Sequence, residues 1–204
     1  MTSVVDVANL ALDLIGQPQV ASLNNGDYRS DTVGRNFDLC RDRIHRTYPW
    51  RRLMSRQSLP KSVTPPAFGY SSQFPLPMDC LRLVEVYVNN YPLLSPWNIE
   101  GNSIMTDGDG PLQIRYIKKE PNPNNWDSEL VFAVAYDLAS VIANPLTKDM
   151  SKVQMAQQSL AQIMRHARAN DAIENQPPRY NVHDSWITAR YGAGGDYNSV
   201  VGGV

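Results

Sequence analysis

The sequence predicts an α+β fold: a helical bundle of about four helices, a small antiparallel β region inserted into it, and an extended C-terminal tail. Three observations predict this. Apolar residues recur with a helical period near the start of the chain and again after residue 126. The stretch between them is punctuated by proline, with residues 49–123 holding 11 of the 15 prolines, and it contains alternating apolar runs of strand length. From Asn175 onward neither pattern continues. The chain therefore divides into a bundle over 1–50 and 126–174, a β-rich insertion over 51–125 with a long loop at 61–77, and an extended docking tail over 175–204.

The first helix is predicted over 3–15, where Val4, Ala8, Leu12 and Ile15 share one face. Ser3 caps it with Asp6 three residues on, and Gly16 with Pro18 stops it. The second is predicted over 31–48, capped by Ser30 or Asp31 and ended by Pro49. Its apolar stripe is Val33, Phe37, Cys40, Ile44 and Tyr48, and Asp31–Arg35 and Asp42–Arg46 are spaced as i,i+4 ion pairs. In the insertion, 83–88 and 112–117 read as strands, with two shorter candidates within 92–106. Asn89-Asn90 and Asp107-Gly108-Asp109-Gly110 carry hairpin-turn chemistry. Residues Lys61 to Pro77 lack periodicity and read as a protruding loop. The third helix, over 127–143, is apolar on most sides, which marks it as central, and Asn144-Pro145 is expected to break or kink it. The fourth, over 149–174, is capped near Asp149 or Ser151 and has a glutamine-rich polar face. Trp50, at the junction of bundle and insertion, and Phe132, on the third helix, are expected in the core.

Composition narrows the function classes. At 42% hydrophobic and 19% charged, with a net charge of −1, the 204-residue chain is neither disordered nor basic overall. No run of 18 apolar residues occurs, so no membrane partner is expected. The N-terminus lacks the basic start and cleavage site of a signal peptide, which predicts synthesis in a cytoplasm, with Cys40 and Cys80 reduced. The charge is unevenly laid out: residues 29–61 carry +6 and residues 62–147 carry −5. Blocks of opposite sign are expected to face each other within the fold or across subunits.

No catalytic or cofactor motif is present. His45, His166 and His183 stand apart, outside any metal-ligand spacing, and His45 and His166 are expected to be solvated. No nucleophile elbow, phosphate loop or dinucleotide fingerprint occurs. The expectation is a protein without catalytic residues, cofactor or metal. The tail instead carries large aromatics among Gly, Asn and Ser. Tyr180, Trp186, Tyr191 and Tyr197, with Arg190, are the candidate partner-binding residues, and Trp186 is the expected main anchor.

Four segments, in order, carry a resemblance. They are ALDLIGQPQVASLNN, then TYPWRRLMSRQSLP, then FPLPMDCLRLVEVYVNN, and last the pair FAVAYDLASVIANPLTKD and MSKVQMAQQSLAQIMRHARANDAIE followed by SWITAR. Together they resemble the tail tubular protein A, or head-to-tail adaptor, family of short-tailed bacteriophages. Arg51 departs from the small or apolar residue that the family often has after the tryptophan. The resemblance implies a homo-oligomeric ring, commonly a dodecamer, in the virion tail at the portal vertex, made in the host cytoplasm. It implies the portal protein and the tail nozzle protein (tail tubular protein B) as partners. Double-stranded DNA would pass through the ring without sequence-specific binding. The alternatives are a peptidoglycan-hydrolysing tail adaptor and a DNA-packaging accessory protein.

Overall fold

The first helix, α1 (Val4–Leu14), begins with the reciprocal capping box that Ser3 and Asp6 predict. The Asp6 amide donates to Ser3 Oγ at 3.1 Å, and the Ser3 amide donates to Asp6 Oδ2 at 2.7 Å, satisfying two orphan donors. At its other end Gly16 turns left-handed (φ +66°). Its amide donates to the Asp13 carbonyl, and that of Gln17 reaches back to Leu12, closing a Schellman motif. The structure is a computed structural model and describes residues 2–23 and 25–174.

The fold is α+β, with four α-helices and seven short strands among the described residues. The helix α2 (Tyr28–Thr47) starts three residues earlier than the sequence suggests, with Asp27 rather than Ser30 or Asp31 at the N-cap. All strands fall between α2 and α3: β1 (Met54–Leu59), β2 (Ser72–Pro75), β3 (Cys80–Val88), β4 (Tyr91–Pro92), β5 (Trp97–Glu100), β6 (Ser103–Thr106) and β7 (Leu112–Lys118). They form two antiparallel sheets, ordered β1-β7-β3-β4 and β2-β6-β5. The helices α3 (Ser128–Thr147) and α4 (Met150–Glu174) follow, joined by Lys148 and Asp149. Residues 1–167 make up one compact unit, and the end of α4 belongs to a second, residues 168–204.

Two hydrophobic cores lie within the first unit. One gathers Val7, Ala11 and Leu12 of α1, Val33, Phe37 and Ile44 of α2, Leu130, Val134, Leu138 and Ile142 of α3, and Ala156, Met164 and Ala167 of α4. Trp50 belongs to it as expected, with its indole Nε1 donating to the Ile44 carbonyl at 3.0 Å. The second core lies between the sheets: Leu59, Phe74, Val86, Ile104, Leu112, Ile114 and Tyr116. The strand β7 serves both cores. Alternation sends Leu112, Ile114 and Tyr116 to the second, while Ile117 reaches the first.

Several expectations are corrected. Phe132 is 42% exposed rather than core, stacked at 6.5 Å on Tyr136 one turn along. The buried side of α3 is shared by Leu130, Val134, Leu138 and Ile142 and by four alanines, Ala133, Ala135, Ala139 and Ala143, whose small side chains allow close helix approach. Pro145 does not break α3, which continues to Thr147 and ends at Lys148 in the left-handed region. The 61–77 stretch is a loop only in part. Its end forms β2, whose Phe74 is fully buried, and Ser62 N–H donates to the Gln73 carbonyl at 2.8 Å. Asp107–Gly110 is not a hairpin turn but the crossing from one sheet to the other, because β6 and β7 lie in different sheets. Asn89-Asn90 does make the expected two-residue hairpin, with both residues at positive φ between β3 and β4. His45 is not solvated but fully buried. Asp42, expected to pair with Arg46, instead binds Arg41 at 2.8 Å and Lys119 at 2.9 Å.

Candidate partner-binding surfaces

The outer face of the four-stranded sheet is set by register. Arg56 of β1 lies directly opposite Arg115 of β7, and Arg115 lies opposite Glu85 of β3. The next row along holds Ser58, Gln113 and Tyr87. All of these but Glu85, with Asn90, line an open groove of about 390 Å³. Glu85 is shared: Arg115 Nη2 lies 3.3 Å from its Oε1, and the Tyr87 hydroxyl donates to its Oε2 at 2.6 Å. That hydrogen bond to the carboxylate, with some burial, raises the Tyr87 pKa. Arg115 Nε is buried without a hydrogen-bond partner. Like charges directly across a ladder are destabilising, so the Arg56–Arg115 pair is an arrangement that folding alone does not favour.

The other sheet presents a different surface. On β5 every residue is exposed. Trp97 and Ile99 on it are 41% and 42% exposed, and the preceding Leu94 is 95% exposed, next to Tyr91 of β4 in the first sheet at 74%. The strand β5 is also a sheet edge, since it pairs only with β6. An exposed edge strand with apolar neighbours is a pairing template that proteins usually blunt or cover.

Burial shifts the ionisable groups inside the helical core. Burial, reinforced by the Asp137 carboxylate, pushes the Cys40 thiol up to about 12, so no thiolate forms near neutral pH. Burial first, and then the Arg41 charge, lowers His45 to about 4. Its ring packs edge-on against Trp126 at 5.2 Å, and neither nitrogen has a hydrogen-bond partner. Asp137, buried on α3, receives a two-pronged contact from Arg43, with Nε at 2.9 Å from Oδ2 and Nη2 at 2.6 Å from Oδ1. Arg43–Asp137 and Lys61–Asp109 (3.0 Å) join the basic segment to the acidic one within the fold. No group of three or more His, Cys, Asp or Glu suited to a metal occurs among the described residues. By length and composition alone α3 is long and apolar enough to cross a membrane, yet half of that stretch is buried inside the fold.

The sequence-predicted binding residues Tyr180, Trp186, Arg190, Tyr191 and Tyr197 all lie outside the described residues. The groove and the β4–β5 surface were not singled out from sequence. Arg56 and Arg115 are 59 positions apart, and only strand register brings them together. No family model matches this chain, and no curated protein matches it.

Proposed function

We propose that this protein is a structural head-to-tail adaptor of a phage virion: a ring, commonly of twelve copies, that joins the portal to the tubular tail nozzle and lets DNA pass. In this reading the helices form the rigid bundle, the β region is an inserted contact module, and residues 175–204 are an extended tail that docks on the portal. The observation that carries the proposal is the unmatched pair of surfaces on the β region, an arginine groove on one sheet and an exposed apolar edge on the other. A cyclic ring needs two different complementary faces on every copy. The ordered sequence resemblance to the adaptor family supplies the identity of the partners. The proposed role involves no catalytic step.

Negative-stain images and sedimentation of the purified protein, alone and mixed with the portal of its own phage, test this. The expected result is a closed ring, or ring assembly upon the portal. A protein that stays monomeric in both conditions would refute the reading.

A further inference from the structure

We infer that the arginine groove on the outer face of the β1-β7-β3 sheet is a carboxylate-binding site, and that its occupant is Glu100 of a second copy of this chain. This deepens the ring reading and rests on it.

In the Arg56–Arg115–Glu85 row two arginines against one carboxylate leave one net positive charge. Arg56 is exposed and makes no hydrogen bond or ion pair among the described residues, while Arg115 keeps an unpartnered Nε. Ser58 and Gln113 stand in the next row and can donate, while the Tyr87 hydroxyl beside them is already committed to Glu85. A single incoming carboxylate would neutralise the excess charge and relieve the repulsion between the paired guanidiniums, whose planar forks match carboxylate geometry. A nucleic-acid backbone fits less well. A polyphosphate is held by many cations in a row, whereas this groove has one uncompensated charge, and a carboxylate, Glu85, holds its Arg115 and Tyr87.

Trp97 pairs with Thr106 and Ile99 with Ile104, and both Thr106 and Ile104 are fully buried, so this face of β5 turns toward the second core. Alternation therefore sends Asn98 and Glu100 to the outer face of the β2-β6-β5 sheet. Asn98 Nδ2 donates weakly to Glu100 Oε1 at 3.4 Å, and among the described residues the exposed carboxylate has no stronger partner. The groove and Glu100 thus lie on opposite outer faces of the two packed sheets. One copy cannot satisfy both itself, but a head-to-tail neighbour does, and such a contact repeats from copy to copy until a ring closes.

Charge exchange and zero-length cross-linking test this in the full-length protein. Arg56→Glu is expected to fold, because Arg56 is exposed and has no hydrogen bond or ion pair among the described residues to lose, and to abolish ring assembly measured by sedimentation. The double variant Arg56→Glu/Glu100→Arg is expected to restore it. Independently, Arg56→Lys places an amine in the groove. Carbodiimide treatment of assemblies mixed from ¹⁴N and ¹⁵N copies is expected to give a mixed-isotope peptide linking Lys at 56 to Glu100. The inference is overturned if Arg56→Glu assembles as the wild type does, if the double variant fails to recover, or if the link forms only to Glu85 of the same copy or to another carboxylate. A wild type that forms no ring at all refutes the ring reading itself. A ring that tolerates Arg56→Glu refutes only the groove assignment.

Discussion

His45 and Arg41 stand one helical turn apart on α2 and are both buried, yet neither the His45 nitrogens nor Arg41 Nη2 finds a hydrogen-bond partner. Arg41, Asp42, Lys119 and Glu120 are the charged groups that act on the imidazole. The folded-state pKa is lowered from 6.5 to about 4, so in this window the unfolded chain binds the proton first. The stability tied to a neutral His45 is therefore complete above the unfolded value and is lost as the pH falls toward the folded one. By pH 5 the loss is about 2 kcal/mol. Denaturant titrations at pH 7 and pH 5 should show it, and His45→Phe, which preserves the ring contact with Trp126, should flatten it; an unchanged slope in that variant would contradict the assignment. Trp50 and Phe132 give a paired prediction of the same kind. Trp50→Ala removes a buried indole and its bond to the Ile44 carbonyl and should cost ~3–5 kcal/mol. Phe132→Ala removes a half-exposed ring and should cost ~1 kcal/mol. Equal losses in the two variants would mean that one ring is misplaced.

At the scale of elements, what was legible from sequence is what depends on neighbours a few residues away. The Ser3–Asp6 box, the Gly16 stop and the Asn89-Asn90 hairpin are each decided by local backbone chemistry. What was not legible depends on partners far along the chain. The strand β2 has no alternating pattern because only Phe74 enters the second core, and its pairing partner β6 lies some thirty residues on. The Asp107–Gly110 run carries turn residues, but it serves to cross between sheets rather than to close a hairpin. Gly110 has a long-range reason of its own. A Cβ there would lie 2.5 Å from Phe74 Cε1 and 2.8 Å from the Leu112 amide nitrogen. Phe74 is fully buried and the other atom is backbone, so neither can yield cheaply. Gly110→Ala should therefore destabilise the protein by ~1–3 kcal/mol through overpacking. Urea unfolding measures this, and an unchanged midpoint would mean that the two sheets do not approach as closely as described.

For the whole molecule, the charge layout read from sequence has a partial structural counterpart. Arg43–Asp137 and Lys61–Asp109 join the basic and acidic segments inside one chain, whereas the exposed Arg56 has no ion pair among the described residues. No reading of the sequence alone separates the internal pairs from the surplus one, because the difference lies in register and burial. The tail poses the complementary case, since its aromatics are conspicuous in sequence while the described buried core ends at Ala167. If residues 175–204 serve a partner rather than this core, their removal should separate folding from assembly. Truncation after Glu174 should leave the helical circular dichroism and the melting transition of the full chain, because every described core residue is retained. The same protein should fail to co-sediment with portals, because Trp186 and its neighbouring tyrosines, the proposed anchors, are gone. Trp186→Ala in the full chain should reproduce most of that loss without any change in melting. Unchanged portal affinity of the truncated protein would show that the tail is not the docking element. A collapse of its melting transition would show instead that the tail packs on its own chain.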